Sequence, residues 1–262
     1  MAEPVVDTER RSGAITWAGL VTPDAAVAEE FYAAVLGWRF MSSSLLLDVP
    51  FDVRVATAGS VPVASIQQGI EELEFPAVWN AYFAVDDLDD AVARAKANGA
   101  IVLAEPFQVG GGEESAGSVA FLLDPNGAGF CLWQTPGDLA PVSRAEPGFI
   151  TWTVLYADET LAGADFYAKT LGWQIDEPSP LDDYRLARLP DGSRVAAVRR
   201  LQEGQLPCWR TYFCVADLDA ALMAAVTRGG TVLTPPSRIQ DGRMFAIVAD
   251  PSGARFGMMQ AD

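Results

Sequence analysis

The chain repeats itself, and that repeat restricts its fold more than any other feature. Residues 15–38 read ITWAGLVTPDAAVAEEFYAAVLGW, and residues 150–173 read ITWTVLYADETLAGADFYAKTLGW. Trp17 therefore falls on Trp152, Phe31-Tyr32 on Phe166-Tyr167, and Gly37-Trp38 on Gly172-Trp173. A second matched pair starts at Trp79 (WNAYFAVDDLDDAVARA) and Trp209 (WRTYFCVADLDAALMAA), and a third at Asp124 (DPNGAGFCLWQ) and Asp250 (DPSGARFGMMQ). Three blocks in one order, with the offset falling from 135 to 130 to 126 residues, mark a duplicated domain. The copies are expected over 14–134 and 149–262. A Pro- and Gly-rich linker spans 135–148, and residues 1–13 form a polar, flexible tail.

Each copy divides again. Ile15–Val21 has strand composition, and Thr22-Pro23-Asp24 supplies a turn and a helix N-cap, because an aspartate oxygen accepts from the free N–H groups of a starting helix. Ala25–Leu36 carries apolar residues at helical spacing, and Gly37 follows as a C-terminal stop. The second unit repeats this pattern: strand Ala81–Val85, cap region Asp86-Asp87, helix Leu88–Ala97, stop Gly99, then Ile101-Val102-Leu103. Later strands at Val119–Leu123 and Gly129–Trp133 are joined by Asp124-Pro125-Asn126-Gly127, a sequence suited to a tight turn. The fold class is α+β, with four βαβββ units in all.

Charge and composition narrow the function. Thirty-five acidic side chains oppose eighteen basic ones, for a net charge of −17. Such a chain should repel nucleic acid, whose binding needs cations against phosphates, and anionic membranes. No export leader or spanning segment is visible. With no leader and three cysteines outside any CxxC pair, a reducing cytoplasm is the expected setting. There is no histidine. Serine and cysteine triads, imidazole metal sites and the usual general base near neutral pH are excluded with it.

Four βαβββ units, an FY…LGW helix end, a VDDLD strand-to-helix junction and a DPxGxxF closing hairpin together resemble the vicinal oxygen chelate superfamily. Its members include glyoxalase I, bleomycin-resistance proteins, fosfomycin-resistance enzymes and extradiol dioxygenases, and this arrangement looks most like tandem actinobacterial members. The resemblance implies that two units pair into a curved sheet half-enclosing a ligand cavity. It also implies divalent-ion ligands, His or Gln near the start of a unit's first strand and Glu in its last. The matching positions are Ile15, Asn80, Ile150 and Arg210 in first strands, with Cys131, Gly257, Ala64-Ser65 and Ala196-Ala197 in last strands. None is an imidazole or carboxylate, and convergent ligands of that kind are what such ions need. No metal and no other cofactor are expected.

Strand alternation proposes what lines the cavities instead, since residues two apart share a face. The rows are Ile15, Trp17 and Gly19; Asn80, Tyr82 and Ala84; Gly129, Cys131 and Trp133; and in the second copy Ile150, Trp152 and Val154; Arg210, Tyr212 and Cys214; Arg255, Gly257 and Met259. Candidate ligand-binding residues are Trp17, Asn80, Tyr82, Trp133, Trp152, Arg210, Tyr212 and Met259, with Arg210 an anchor for an anion or carbonyl. Trp17 and Trp152 can equally be plain packing, Arg210 a member of a surface ion pair, and Cys131 a small buried hydrophobe. The Phe-Tyr pairs are expected in the core. The loop Val109–Glu114 is a candidate lid beside the cavity.

Two functions fit this reading. One is a binding module that sequesters an apolar or aromatic small molecule without metal or chemistry, as bleomycin-resistance proteins do. The other is a metal-independent isomerase, cyclase or lyase on a polyketide-like metabolite, with Tyr82, Tyr212, Arg210 and Cys131 as acid, base or anchoring groups. The tandem copies can satisfy within one chain a pairing that single-copy relatives make as dimers, so a monomer or a homodimer is expected.

Overall fold

The computed structural model describes residues 11–42, 53–69, 76–110, 115–135, 143–177, 184–201, 204–239 and 242–261. Most of the expected tail, the centre of the linker and residues 111–114 of the candidate lid lie outside them.

The first copy runs β1 (Ile15–Thr22), α1 (Ala25–Leu36), β2 (Arg39–Ser42), β3 (Val53–Ala58), β4 (Val61–Gln68), β5 (Val78–Ala84), α2 (Leu88–Ala97), β6 (Ile101–Val109), β7 (Gly117–Leu123) and β8 (Gly129–Gln134). The second runs β9 (Ile150–Ala157), α3 (Thr160–Leu171), β10 (Gln174–Ile175), β11 (Tyr184–Arg188), β12 (Arg194–Arg200), β13 (Cys208–Val215), α4 (Leu218–Thr227), β14 (Thr231–Arg238), β15 (Met244–Ala249) and β16 (Arg255–Gln260). Each copy is thus two βαβββ units. Its eight strands form one sheet, in the order β2-β3-β4-β1-β5-β8-β7-β6 for the first copy and β10-β11-β12-β9-β13-β16-β15-β14 for the second.

Local chemistry sets the helix boundaries. The Asp24, Asp87 and Asp217 carboxylates accept from Val27, Asp90 and Ala220 backbone N–H groups, each at 2.9 Å, and so start α1, α2 and α4. In α3 the cap position is Glu159, which makes no such bond. Gly37 and Gly172 end α1 and α3 in the left-handed conformation, at φ of 70° and 76°.

The helices of both copies and one face of each sheet share a single core, and the tyrosines of the FY…LGW motif cross between the copies. The Tyr32 hydroxyl on α1 donates to Asp250 Oδ2 in the second copy's closing turn at 3.0 Å and accepts from Trp79 Nε1 at 2.8 Å. In the mirror arrangement, Tyr167 on α3 donates to Asp124 Oδ2 at 3.2 Å and accepts from Trp209 Nε1 at 2.7 Å. The motif tryptophans cross as well, Trp38 Nε1 to the Gly148 carbonyl at 2.7 Å and Trp173 Nε1 to the Gly13 carbonyl at 2.8 Å. Asp124 and Asp250 also fold their own turns, each accepting from backbone N–H groups two and four residues on. Gly13 further donates to the Ala84 carbonyl, and Arg11 pairs with Asp191, so the segment just before β1 is tied to both copies.

Candidate functional site

The opposite, helix-free face of each sheet carries its own cluster. In the first copy Val119, Cys131 and Trp133 are buried, with Trp17, Tyr82, Val109, Ala116 and Phe121 packed against them and partly exposed. In the second, Val154, Tyr156, Ala197, Tyr212, Ile247 and Met259 are buried beneath partly exposed Trp152, Tyr184, Leu186, Cys208 and Phe245. Trp17 and Trp152 therefore take no part in the core between the copies.

Two row members need correction. Ile15 and Ile150 lie in the shared core, not with Trp17 and Trp152. The cause is a β-bulge in each first strand: Trp17 pairs with Tyr82 but Ile15 with Phe83, and Trp152 pairs with Tyr212 but Ile150 with Phe213. One extra residue on the bulged strand turns the alternation over. The same pairing fixes which residues are equivalent. Gly19 lies opposite Asn80 and Trp17 opposite Tyr82, so Trp17, and not Ile15, matches Asn80 across the β1–β5 pair. Likewise Trp152 matches Arg210.

The four corner positions of the first copy are therefore Trp17, Asn80, Ser65 and Cys131, since Gly19 pairs with Ser65 and Tyr82 with Cys131. Those of the second are Trp152, Arg210, Ala197 and Gly257. Donor chemistry at these corners does not fit a divalent ion. Trp17 Nε1 already donates to Ser65 Oγ at 3.0 Å. Burial pushes the Cys131 thiol well up, away from the thiolate that binds metals. In the second copy a guanidinium occupies one corner, and the Tyr212 ring fills the place that a side chain on Gly257 would need. No group of three or more Cys, Asp or Glu side chains converges among the described residues.

The first face is an aromatic wall. Trp17 meets Trp133 edge-on at 5.7 Å between centroids and 74° between planes. Tyr82 meets Trp133 at 6.2 Å and 73°, and Phe121 at 6.0 Å and 79°. Phe107, 39% exposed, stacks on Phe121 at 10°. Trp133 Nε1 is satisfied by the Ala116 carbonyl at 3.0 Å. Both indoles are thus fixed by hydrogen bonds, while the Trp17, Tyr82 and Phe121 rings keep part of their surface open. Asn80 shares this face, its Oδ1 3.7 Å from where a side chain on Gly129 would begin.

The second face is aromatic and cationic. Arg210 is 3% exposed, its guanidinium lies over the Tyr156 ring at 4.5 Å, and Nη2 approaches Cys208 Sγ at 3.8 Å. Its Nε has no hydrogen-bond partner. The Tyr156 and Tyr212 hydroxyls are 3.2 Å apart. Burial pushes the Tyr82 and Tyr212 phenols well above their ordinary range and Tyr184 up to about 12, so these groups stand as protonated donors rather than bases.

Sequence alternation thus brought together Trp17, Tyr82, Cys131 and Trp133 on one face, and Trp152, Arg210, Tyr212 and Met259 on the other. It missed Tyr156, Tyr184, Phe121 and Phe245. Extending the β9 row one step past Val154 reaches Tyr156, and the same rule applied to β7 and β15 reaches Phe121 and Phe245.

Comparison with known proteins agrees with this architecture. A family model described as a glyoxalase-like domain matches residues 17–133 and 152–259. The chain is 30% identical to the putative glyoxylase CFP32 of Mycobacterium tuberculosis, over 97% of both chains. It is 29% identical to the anthracycline biosynthesis protein DnrV of Streptomyces peucetius, over 95% of this chain and 93% of that one. Among solved structures it is similar to a Mn(II)-bound glyoxalase from Novosphingobium aromaticivorans, with a TM-score of 0.68 and 17% identity, covering 96% of this chain and 83% of that one. The 2,3-dioxygenase LapB from Pseudomonas sp. KL28 superposes with a TM-score of 0.66 at 15% identity, covering 97% and 93%. With both halves matched separately and both folded as paired βαβββ units, the chain belongs to the glyoxalase-like family of the vicinal oxygen chelate superfamily.

Proposed function

We propose that the chain binds a planar, largely apolar small molecule on its helix-free faces, without a metal ion and without converting it. The observation that carries this reading is the first-copy wall. Trp17, Tyr82 and Trp133 lie at or beside the positions that the superfamily resemblance assigns to ion ligands, and the Trp17 and Tyr82 rings stay partly open. Aromatic faces of this kind gain about 0.5–1.5 kcal/mol per ring pair beyond the area they bury. Similarity to DnrV, an anthracycline biosynthesis protein, supports a polycyclic aromatic metabolite as the ligand class. Sequestration of such a compound in the cytoplasm, as self-resistance, is the role we assign.

A second reading is a metal-independent isomerase, cyclase or lyase on a polyketide-like substrate. It is favoured by the protonated Tyr82 and Tyr212 hydroxyls and by Arg210, which can donate to a developing enolate. Cys131 fits it less well, because its thiol is fully buried and held protonated.

Titration with a tetracyclic aromatic aglycone separates the two. Binding predicts saturable tryptophan quenching, lost in Trp17→Ala, with the compound recovered unchanged by mass spectrometry. A changed compound, with turnover lost in Tyr82→Phe or Tyr212→Phe, would establish the enzyme instead. No saturation at any accessible concentration would dismiss both.

A further inference from the structure

The two faces differ in charge, position by position. Strand register equates Gln67 with Arg199, Asn80 with Arg210 and Gly129 with Arg255. Three neutral positions on the first face are therefore arginines on the second. Strands β9 to β16 contain no carboxylate and eight of the chain's 18 basic residues, although the chain as a whole carries −17. Arg210 sits at the centre of this face, on a row with Val154 and beside Arg255. It is 3% exposed and has no ion pair among the described residues, and its Nε is unbonded. Its contacts are the Tyr156 ring and the Cys208 sulfur, neither of which carries a compensating charge. A buried cation without a counterion is costly, and a bound anion would remove that cost. Arg199 and Arg255 flank it, both exposed, and neither pairs with a carboxylate among the described residues. Partly exposed Trp152, Tyr184 and Phe245 border the same face and suit a flat ring.

We propose that the helix-free face of the second copy is an organic-anion site that takes an aromatic carboxylate, with the buried Arg210 guanidinium pairing the oxyanion and the surrounding rings holding the aromatic body. The first face, with no charged side chain in the matching positions, is then selective for neutral ligands. The inference rests on the reading of the helix-free faces as ligand sites and goes beyond it by giving the two copies different specificities.

Two isosteric probes, 2-naphthoate and 2-naphthamide, test it by calorimetry on the full chain. Naphthoate binds at least about 10-fold more tightly than naphthamide, as expected where an ionised partner is gained in a buried setting. That preference shrinks as salt rises. Arg210→Gln abolishes the preference, and Lys96→Gln, which removes a surface charge on α2 away from both faces, leaves it intact. Should Arg210→Gln not fold, the exposed pair Arg199→Gln/Arg255→Gln serves, with a preference reduced by about 3-fold or more as two flanking charges are lost. Equal affinity for the two probes, or a preference that survives Arg210→Gln or, in its place, the double variant, overturns the anion site while leaving the binding reading standing. Saturable binding of neither probe overturns both.

Discussion

Replacing Tyr32 by phenylalanine removes one oxygen atom and tests how the two copies are joined. That oxygen is fully buried, donates to Asp250 Oδ2 at 3.0 Å and accepts from Trp79 Nε1 at 2.8 Å. The substitution deletes a hydrogen bond to a carboxylate, worth about 1.5–3 kcal/mol, and strands a buried indole N–H, at about 1–3 kcal/mol. No ring contact is lost, because the phenyl group keeps its place against Trp79 and Phe256. The expected loss is therefore about 3–5 kcal/mol, or a fall in Tm of roughly 10 °C for a chain of this size. Tyr167→Phe should cost a similar amount, since its hydroxyl plays the same part toward Asp124 and Trp209. Urea unfolding followed by far-ultraviolet circular dichroism and by tryptophan fluorescence measures both, and each variant should still unfold in one transition by both probes. A loss below about 1 kcal/mol in either variant would refute the assignment of these hydroxyls as the fastening between copies.

Further outcomes follow from the same geometry. Burial, the largest influence on both, raises the Asp124 and Asp250 carboxyls. Their contribution to stability is therefore fully present below the ordinary carboxylate value of about 3.9 and is lost as pH rises through their higher folded values, which carboxyl NMR titration would detect. Tyr32→Phe removes a donor that lowers Asp250 and should raise that carboxyl further. Gly257→Ala sets a methyl group where the Tyr212 ring lies; it should cost about 1–3 kcal/mol, break the Tyr156–Tyr212 contact and alter the near-ultraviolet spectrum. A thiol reagent should label partly exposed Cys208 first, with buried Cys131 and Cys214 reacting only on unfolding, and 2-naphthoate should protect Cys208.

The sequence was legible where its signals were local. Helices Ala25–Leu36 and Leu88–Ala97 follow from an aspartate cap, helical spacing and a stop, and both ends agree with the structure. The duplication implied two similar sheets, and both formed. Legibility failed at the bulges before Trp17 and Trp152, because an inserted residue leaves no mark in composition and reverses the alternation beyond it. It failed again at Tyr32 and Tyr167. Helical spacing places them in a core, but only the packing of one copy on the other brings their hydroxyls to Asp250 and Asp124. That Arg210 has no counterion among the described residues was likewise hidden, since it depends on the strands packed around it.

The crossed tyrosine clasp bears on why such copies are fused at all. Two separate single-copy chains could grip each other by the same reciprocal contacts, but rotational symmetry would oblige both receptors to carry identical side chains. Joining them end to end lifts that obligation: an arginine gained in one half is not imposed on the other. A single polypeptide can then carry two dissimilar sheet faces, each free to diverge while the clasp between the copies stays unchanged.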